Sequence, residues 1–367
     1  MAYVLGAFIV SLVVTLLLVR YRRLHAEFTA DTDLQGVQKF HARAVPRVGG
    51  IALVLSMIVP CVLAAFRDPE IVHSLTLLII SSLPVFAGGL VEDITKKVRA
   101  RVRLSLALVS GALAYLMVGA GISHLDIIGL DWLLQFTIVS FFVSIFAMAG
   151  AANAINIIDG YNGLASVVSA MIFAGLAYVA FYLNDRLVLV AAVGMLGAIA
   201  GFLIWNYPRG LIFLGDGGAY FIGFIIGTLS ILLLARHPNL SPWFPLLLCI
   251  YPVFETLFSI YRKKLVRGKS PGAPDGVHLH MLVYKRLVRW AVGSSEARLI
   301  TQRNAMTSPY LWVLSSMGTI PAVLFWQYEY VLMLFVALFS ISYVVLYRRL
   351  VLFRMPRWLV LQKNRRR

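Results

Sequence analysis

Asn153-Ala-Ile-Asn156-Ile-Ile-Asp159-Gly-Tyr-Asn162-Gly163 separates two long apolar runs, 133–152 and 164–183. Each run has the roughly 18–20 residues that an α-helix needs to cross a bilayer core. Three asparagines and an aspartate left unpaired in hydrocarbon would cost several kcal/mol each, so this stretch belongs at a water boundary or at a site in use. The local sequence supplies no Lys or Arg to neutralise Asp159. A carboxylate among amides, with no cation beside it in the chain, suggests a ligand for a metal or a polar substrate.

Working outward, the whole chain has the same apolar character. It is 60% hydrophobic with a mean hydropathy of +0.85, far from a soluble domain. The apolar runs are continuous and do not alternate, which excludes a β-barrel and leaves an all-α, polytopic membrane protein. The run at 3–19 follows no basic segment and carries no small-residue cleavage site, so it reads as a retained helix and not a signal peptide. Cys61 and Cys249 fall inside apolar runs and read as small buried hydrophobes, with no disulfide or zinc framework.

Eleven spans are predicted, at 2–19, 48–65, 72–90, 104–121, 132–152, 164–182, 187–204, 218–235, 243–261, 309–326 and 330–347. A net charge of +17 could suggest nucleic acid, but the cations sit in alternate connections. Segments 20–47, 91–103, 205–217, 262–307 and 348–367 hold 30 of the 33 Lys and Arg, leaving Arg67, Arg186 and Arg236 for the other side. The positive-inside rule then puts the N-terminus outside and the C-terminus in the cytoplasm. The expected organisation is one transmembrane catalytic domain, 1–347, with active-site loops at 20–47, 91–103, 153–163, 205–217 and 262–307. A basic tail, 348–367, is expected to lie on anionic headgroups.

Five cytoplasmic segments carry more polar chemistry than a connection needs. Lys39, His41 and Arg47 precede Gly49-Gly50 at a helix entrance, where cations and free backbone N–H groups make an anion site, beyond what topology alone would place there. Glu92-Asp93 precedes Lys96, Lys97, Arg99, Arg101 and Arg103; the pair could hold a metal or a proton, or form helix-end salt bridges such as Glu92 to Lys96. Asn153, Asn156 and Asp159 fall within an arc of about 120° on a helix. The glycines after Asp159 and Asn162 then break that helix and expose backbone to a ligand, the alternative being amide bonds between helices. Asn206 and Phe213 lead into Gly215-Asp216-Gly217-Gly218; Asp216 could coordinate Mg²⁺ while glycines admit phosphate oxygens, or could cap the helix. Asp275, His278 and His280 fall in the long loop 262–307, where the histidines suit phosphate better than zinc because further zinc ligands are missing. Glu255, inside the ninth span, is an intramembrane carboxylate, functional or held by a structural partner.

Taken together, residues 39–280 resemble the polyprenyl-phosphate N-acetylhexosamine-1-phosphate transferases, glycosyltransferase family 4, with the motifs in the family's order. The Asn-x-x-Asn-x-x-Asp-Gly-x-Asp-Gly motif matches residues 153–163 with Asn162 in place of the last Asp. Glu92-Asp93 matches the acidic pair with Glu for the first Asp, Phe-x-Gly-Asp matches Phe213 to Asp216, and the histidine loop matches Asp275, His278 and His280. Gly276 and Met281 stand where Arg and a further His are common. The triple-His run of phospho-N-acetylmuramoyl-pentapeptide transferase is absent, so the resemblance favours the branch that initiates glycan synthesis.

The resemblance implies transfer of sugar 1-phosphate from a UDP-N-acetylhexosamine to membrane polyprenyl phosphate, releasing UMP, on the cytoplasmic face of a bacterial inner membrane. It implies Mg²⁺, with Mn²⁺ an alternative, held by Asp216 with Asp159 as candidate second ligand. Asp93, beside Glu92, is the candidate base or positioning carboxylate; Lys39, His41 and Arg47 face lipid or nucleotide phosphate. His278 and His280 bind phosphate oxygens, and Asn153, Asn156, Asn162, Asn206 and Phe213 line the substrates. A homodimer is compatible with this reading and nucleic acid is not a partner. The pathway expected is O-antigen or a similar envelope polysaccharide. The competing readings are the muramoyl-pentapeptide branch, a secondary transporter and a lipid-binding scaffold. A transporter would place its ionisable groups near the midplane, whereas only Glu255 is that deep here.

Overall fold

The computed structural model describes residues 1–31, 44–268, 276–289 and 296–361; Lys39, His41 and Asp275 lie outside them. The chain begins with α1 (Ala2–Arg20) and α2 (Arg22–Thr29), then a two-residue antiparallel pair, β1 (Ala30–Asp31) and β2 (Val45–Pro46). The helices α3 (Gly50–Ser56), α4 (Ile58–Arg67), α5 (Pro69–Thr95), α6 (Ala100–Val118), α7 (Leu130–Leu134) and α8 (Thr137–Ile158) follow. Next come α9 (Leu164–Tyr182), α10 (Arg186–Asn206), α11 (Gly215–Arg236), α12 (Trp243–Leu248) and α13 (Ile250–Tyr261), the last running into a π-helical turn, Arg262–Val266. The chain ends with α14 (Leu279–Arg286), α15 (Ala297–Leu324) and α16 (Glu329–Val351).

Nine helical segments among the described residues are long and apolar enough to cross a membrane, against eleven predicted spans. The two remaining stretches take other forms. The expected span 243–261 is divided at Cys249 into α12 and α13. Pro252 has no N–H to offer the Leu248 carbonyl one turn back, and the helix breaks there. The expected span 309–326 is the second half of α15, which starts twelve residues earlier in the polar segment before Pro309. The run 132–152 also shifts. Its helix, α8, begins at Thr137 and continues to Ile158, so Asn153 and Asn156 are helical and only Asp159 onward forms the turn.

The bundle is built around α11. Every residue from Gly215 to Leu234 is buried, with α5 and α8 as its principal neighbours. Association of helices in lipid depends on close packing, because lipid tails are as apolar as side chains. Here α5 and α11 meet backbone to backbone: a Cβ added at Gly89 would stand 2.5 Å from the Gly217 nitrogen. By contrast, α16 leaves Leu334, Leu338 and Ile341 exposed where lipid would be.

The end of the bundle away from the polar loops is fastened by two ion-pair clusters. Asp68 accepts from the Tyr3 hydroxyl and from Arg186, and these bonds hold its carboxyl below the usual range. Asp185 accepts the Val188 N–H at 3.1 Å as a helix cap, and lies 3.3 Å from Arg236 and 3.2 Å from His237. Arg186 and Arg236, two of the few cations at this end, are thus both occupied.

Candidate active site

The site is built on the first turn of α11. Gly215 has φ +77°, a left-handed conformation that turns the chain into the helix and that a side chain would strain. The turn is then capped by another helix. Asp93, near the end of α5 and 1% exposed, accepts the Asp216 N–H and the Gly217 N–H at 2.9 Å each. Both oxygens of Asp93 therefore fix the backbone that carries Asp216, and the helix dipole adds to their hold. Backbone bonds tie the preceding strand to the same place: Phe213 donates to Pro46 at 2.8 Å, and Gly49 and Gly50 donate to Phe213 and Leu214 at 3.0 Å. This strap delivers Arg47.

Asp216 faces a cavity of about 860 Å³. Its Oδ1 accepts from Arg47 Nη2 and from Asn156 Nδ2, both at 3.1 Å, and its Oδ2 pairs with Arg103. Arg47 Nε also stands 3.6 Å from Asp93. The cations at Asp216 therefore arrive from distant loops. Asp159 itself caps the end of α8 at the cavity wall. Among the described residues its side chain has no hydrogen-bond or ion-pair partner. Removal from water pushes its carboxyl up to about 7, and the Arg47 charge opposes that rise.

The histidine segment closes another wall. His278 precedes α14 and His280 lies in its first turn, with the two rings parallel and 5.3 Å apart. Glu255 organises them: its Oε1 accepts His278 Nδ1–H at 2.9 Å and the Leu279 N–H at 3.3 Å, and its Oε2 accepts the Tyr343 hydroxyl at 2.7 Å. His278 is left with Nε2 for the cavity it lines. Burial pushes His280 down to about 3, so its ring is neutral, and among the described residues its Nδ1 has no partner. The π-helical turn after α13 brings Lys263 to the same cavity.

Other predicted site residues serve different ends. Asn206 Oδ1 accepts the Gly163 N–H at 2.7 Å while its Nδ2 donates to the Ile212 carbonyl at 2.8 Å. Asn162 donates from Nδ2 to Pro208, and its backbone N–H reaches Asn304 Oδ1 at 2.9 Å. Both asparagines thus lock the turns around the cavity that they also line. Asn153 donates to Ala149 in its own helix and meets the Tyr220 hydroxyl at 3.5 Å. Glu92 turns away from the cavity and accepts the Val98 N–H at 2.7 Å.

Arg103, Lys263 and Tyr220 are cavity residues that the sequence reading did not single out as a group. Arg103 had a signal. It continues the stripe of Ala107, Gly111 and Ala114, the buried face of α6, at four- and three-residue spacing. Lys263 had none, because a π-turn cannot be read from helix periodicity.

The charge and donor types suit a hard divalent cation. Asp159 and Asp216 supply oxygen donors on one cavity. Among the described residues no three His, Cys, Asp or Glu side chains form a metal cluster. Two carboxylates with the remaining positions left to water and phosphate is the usual arrangement for Mg²⁺.

Residues 75–234 match the profile of glycosyl transferase family 4. It is 29% identical over 288 residues to a probable undecaprenyl-phosphate N-acetylglucosaminyl 1-phosphate transferase of Bacillus subtilis, covering 76% of this chain and 77% of that protein. It is also 29% identical over 260 residues to the undecaprenyl-phosphate alpha-N-acetylglucosaminyl 1-phosphate transferase of Salmonella typhi, covering 69% of each. A phospho-N-acetylmuramoyl-pentapeptide-transferase of Streptococcus pneumoniae is 26% identical over 271 residues, covering 71% of this chain and 80% of that one.

Proposed function

We propose that the protein transfers an N-acetylhexosamine 1-phosphate from a UDP-sugar to a polyprenyl phosphate, releasing UMP, as the first step of an envelope polysaccharide such as O-antigen. The observation that carries this is the cavity shared by Asp159, Asp216, Arg47, Arg103, Lys263 and His278. Carboxylates for a cation stand beside cations for phosphate. An anionic acceptor must approach an anionic diphosphate here, and fixed positive charge lowers that barrier. Leu104, Phe146 and Ile260 also line the cavity yet are exposed on the outer surface of the bundle, so an acceptor's apolar chain can stay in lipid.

In the reaction an oxygen of the lipid phosphate attacks the phosphorus that bears the sugar. The bond from that phosphorus to the bridging oxygen breaks, and UMP leaves with the electron pair. The sugar's own C–O bond is untouched. A phosphate monoester has a second pKa near 6, so the acceptor is largely ionised at neutral pH and needs no strong base. Asp93 accordingly positions the α11 turn. Arg47, Arg103 and Lys263 hold phosphate oxygens, His278 offers Nε2 to the same oxygens, and Asn153 and Asn156 orient the substrates. Asp159 and Asp216 would hold Mg²⁺, or Mn²⁺, which when bound neutralises charge building on the diphosphate.

The basic connections that flank this cavity support, by the positive-inside rule, the reading of a cytoplasm-facing site in a bacterial inner membrane. Purified protein given undecaprenyl phosphate, Mg²⁺ and a panel of UDP-GlcNAc, UDP-GalNAc, 6-deoxy N-acetyl sugars and UDP-muramoyl-pentapeptide should release UMP with a UDP-N-acetylhexosamine. Turnover with the muramoyl-pentapeptide alone would move the protein to the peptidoglycan branch, and no UMP with any donor would refute the assignment.

A further inference from the structure

The cytoplasmic end of α16 forms a second cationic concavity, remote in character from the cavity above. Helix α16 has 23 residues, about 34 Å at 1.5 Å per residue, and so spans the hydrocarbon from Glu329 to the opposite headgroup layer. Arg348 and Arg349 fall at that layer. The helix then ends in a Schellman cap: Arg354 N–H bonds Arg349 O at 2.9 Å and Phe353 N–H bonds Leu350 O at 3.3 Å. The left-handed position of this motif normally takes glycine, yet here Phe353 occupies it with φ 58°. The Arg286 guanidinium lies 3.4 Å from the Phe353 ring centre and helps to hold the strained residue in place.

The wrap returns Arg354 beside Arg348 and Arg349. The three arginines, with Val345 and Leu352, line a concavity of about 450 Å³. Among the described residues none of the three guanidinium groups has a hydrogen bond or an ion pair. The chain beyond is tied back, with Leu359 O accepting the Tyr310 hydroxyl at 2.7 Å and Leu361 N–H bonding Leu287 O at 2.9 Å. Leu352, on the wall of the dish, and Phe353 next to it in the chain are both exposed.

We infer that Arg348, Arg349 and Arg354 form a binding site for the phosphate of an anionic phospholipid, with Val345 and Leu352 against its acyl chains. Three facts select this ligand. The three arginines line one concavity, and among the described residues their guanidinium groups have no acceptors. Arginine forks match phosphate oxygens. The apolar part of the wall, Val345 and Leu352, is exposed at the end of a helix long enough to span a bilayer, which suits a lipid and not a free anion.

Native mass spectrometry of the full chain, extracted with phosphatidylglycerol, diphosphatidylglycerol, phosphatidylcholine or undecaprenyl phosphate, tests the site. Wild type should retain one anionic phospholipid in preference to phosphatidylcholine. Each Arg→Gln change should weaken retention roughly fivefold, and R348Q/R349Q/R354Q about a hundredfold, from about 1 kcal/mol per basic residue near a membrane surface. The control R20Q/R22Q/R23Q removes equal charge from another basic cluster and should leave retention within twofold; thermal midpoints check that both variants fold. In detergent without phospholipid, the triple variant should release UMP at the wild-type rate. Equal loss in the control, unchanged retention in the triple variant, preference for undecaprenyl phosphate, or displacement of the lipid by inorganic phosphate would each overturn the assignment.

Discussion

Replacing Asp93 by Asn separates a positioning carboxylate from a chemical one. Asp93 spends both oxygens on the Asp216 and Gly217 N–H groups, at 2.9 Å each and with the side chain almost wholly buried. An amide of the same shape keeps one acceptor and turns a donor toward the other N–H. A hydrogen bond to a charged group contributes about 1.5–3 kcal/mol, and a buried N–H left unpaired costs a further ~1–3 kcal/mol. The first turn of α11 should therefore loosen by about 2.5–6 kcal/mol, carrying Asp216 away from Arg47 and Arg103. The expected outcome is a lower thermal midpoint together with weaker UDP-sugar binding and slower turnover. UMP release at graded donor concentrations, with thermal unfolding of the same preparation, measures all three. Turnover lost by a thousandfold or more, with the midpoint and KM unchanged, would show that Asp93 takes part in the chemistry and would refute the positioning argument.

Two further outcomes follow from the histidine wall. Glu255→Gln withdraws the charge that holds His278 Nδ1, and kcat should fall about 10- to 100-fold, matching about 1.5–3 kcal/mol for a charged hydrogen bond; turnover within twofold of wild type would show that His278 needs no such support. His280 is held near pKa 3 by burial, below its ordinary value of 6.5. A depressed histidine stabilises the fold above pH 6.5 and withdraws that stability as pH falls toward 3, by up to about 1.4 kcal/mol per pH unit. The thermal midpoint of His280→Gln should thus fall less steeply than wild type between pH 6.5 and 4.5, and parallel slopes would contradict the burial argument.

The helical membrane architecture was legible because spanning length and continuous hydrophobicity are local properties. Arg47, Asn153, Asn156, Asp159, Asp216, His278 and His280 stood out as candidates because polar groups beside hydrophobic runs need a reason, and all of them line one cavity. Their wiring was not. Nothing in Glu92-Asp93 tells which carboxylate turns inward; α5 settles it, sending Asp93 to α11 and Glu92 to the Val98 N–H. Glu255 read equally as functional or structural, and its partner 23 residues on could be found only through the fold. Asp159 looked isolated from positive charge because Arg47, whose field opposes the rise of its carboxyl, lies 112 positions earlier in the sequence. The division of α12 from α13 was signalled by Pro252, but a hydropathy window averages over such a break.

The full enclosure of α11 also makes it intolerant of changes in length. Inserting one residue in a helix turns everything beyond it by about 100° and moves it by about 1.5 Å. In α16 the displaced side chains would mostly trade one lipid neighbour for another. Between Gly215 and Leu234 every direction is already occupied, and the small face that admits α5 would be replaced by a bulky one. The spacing between Asp216 and the rest of its helix can change only if α5 and α8 change in step.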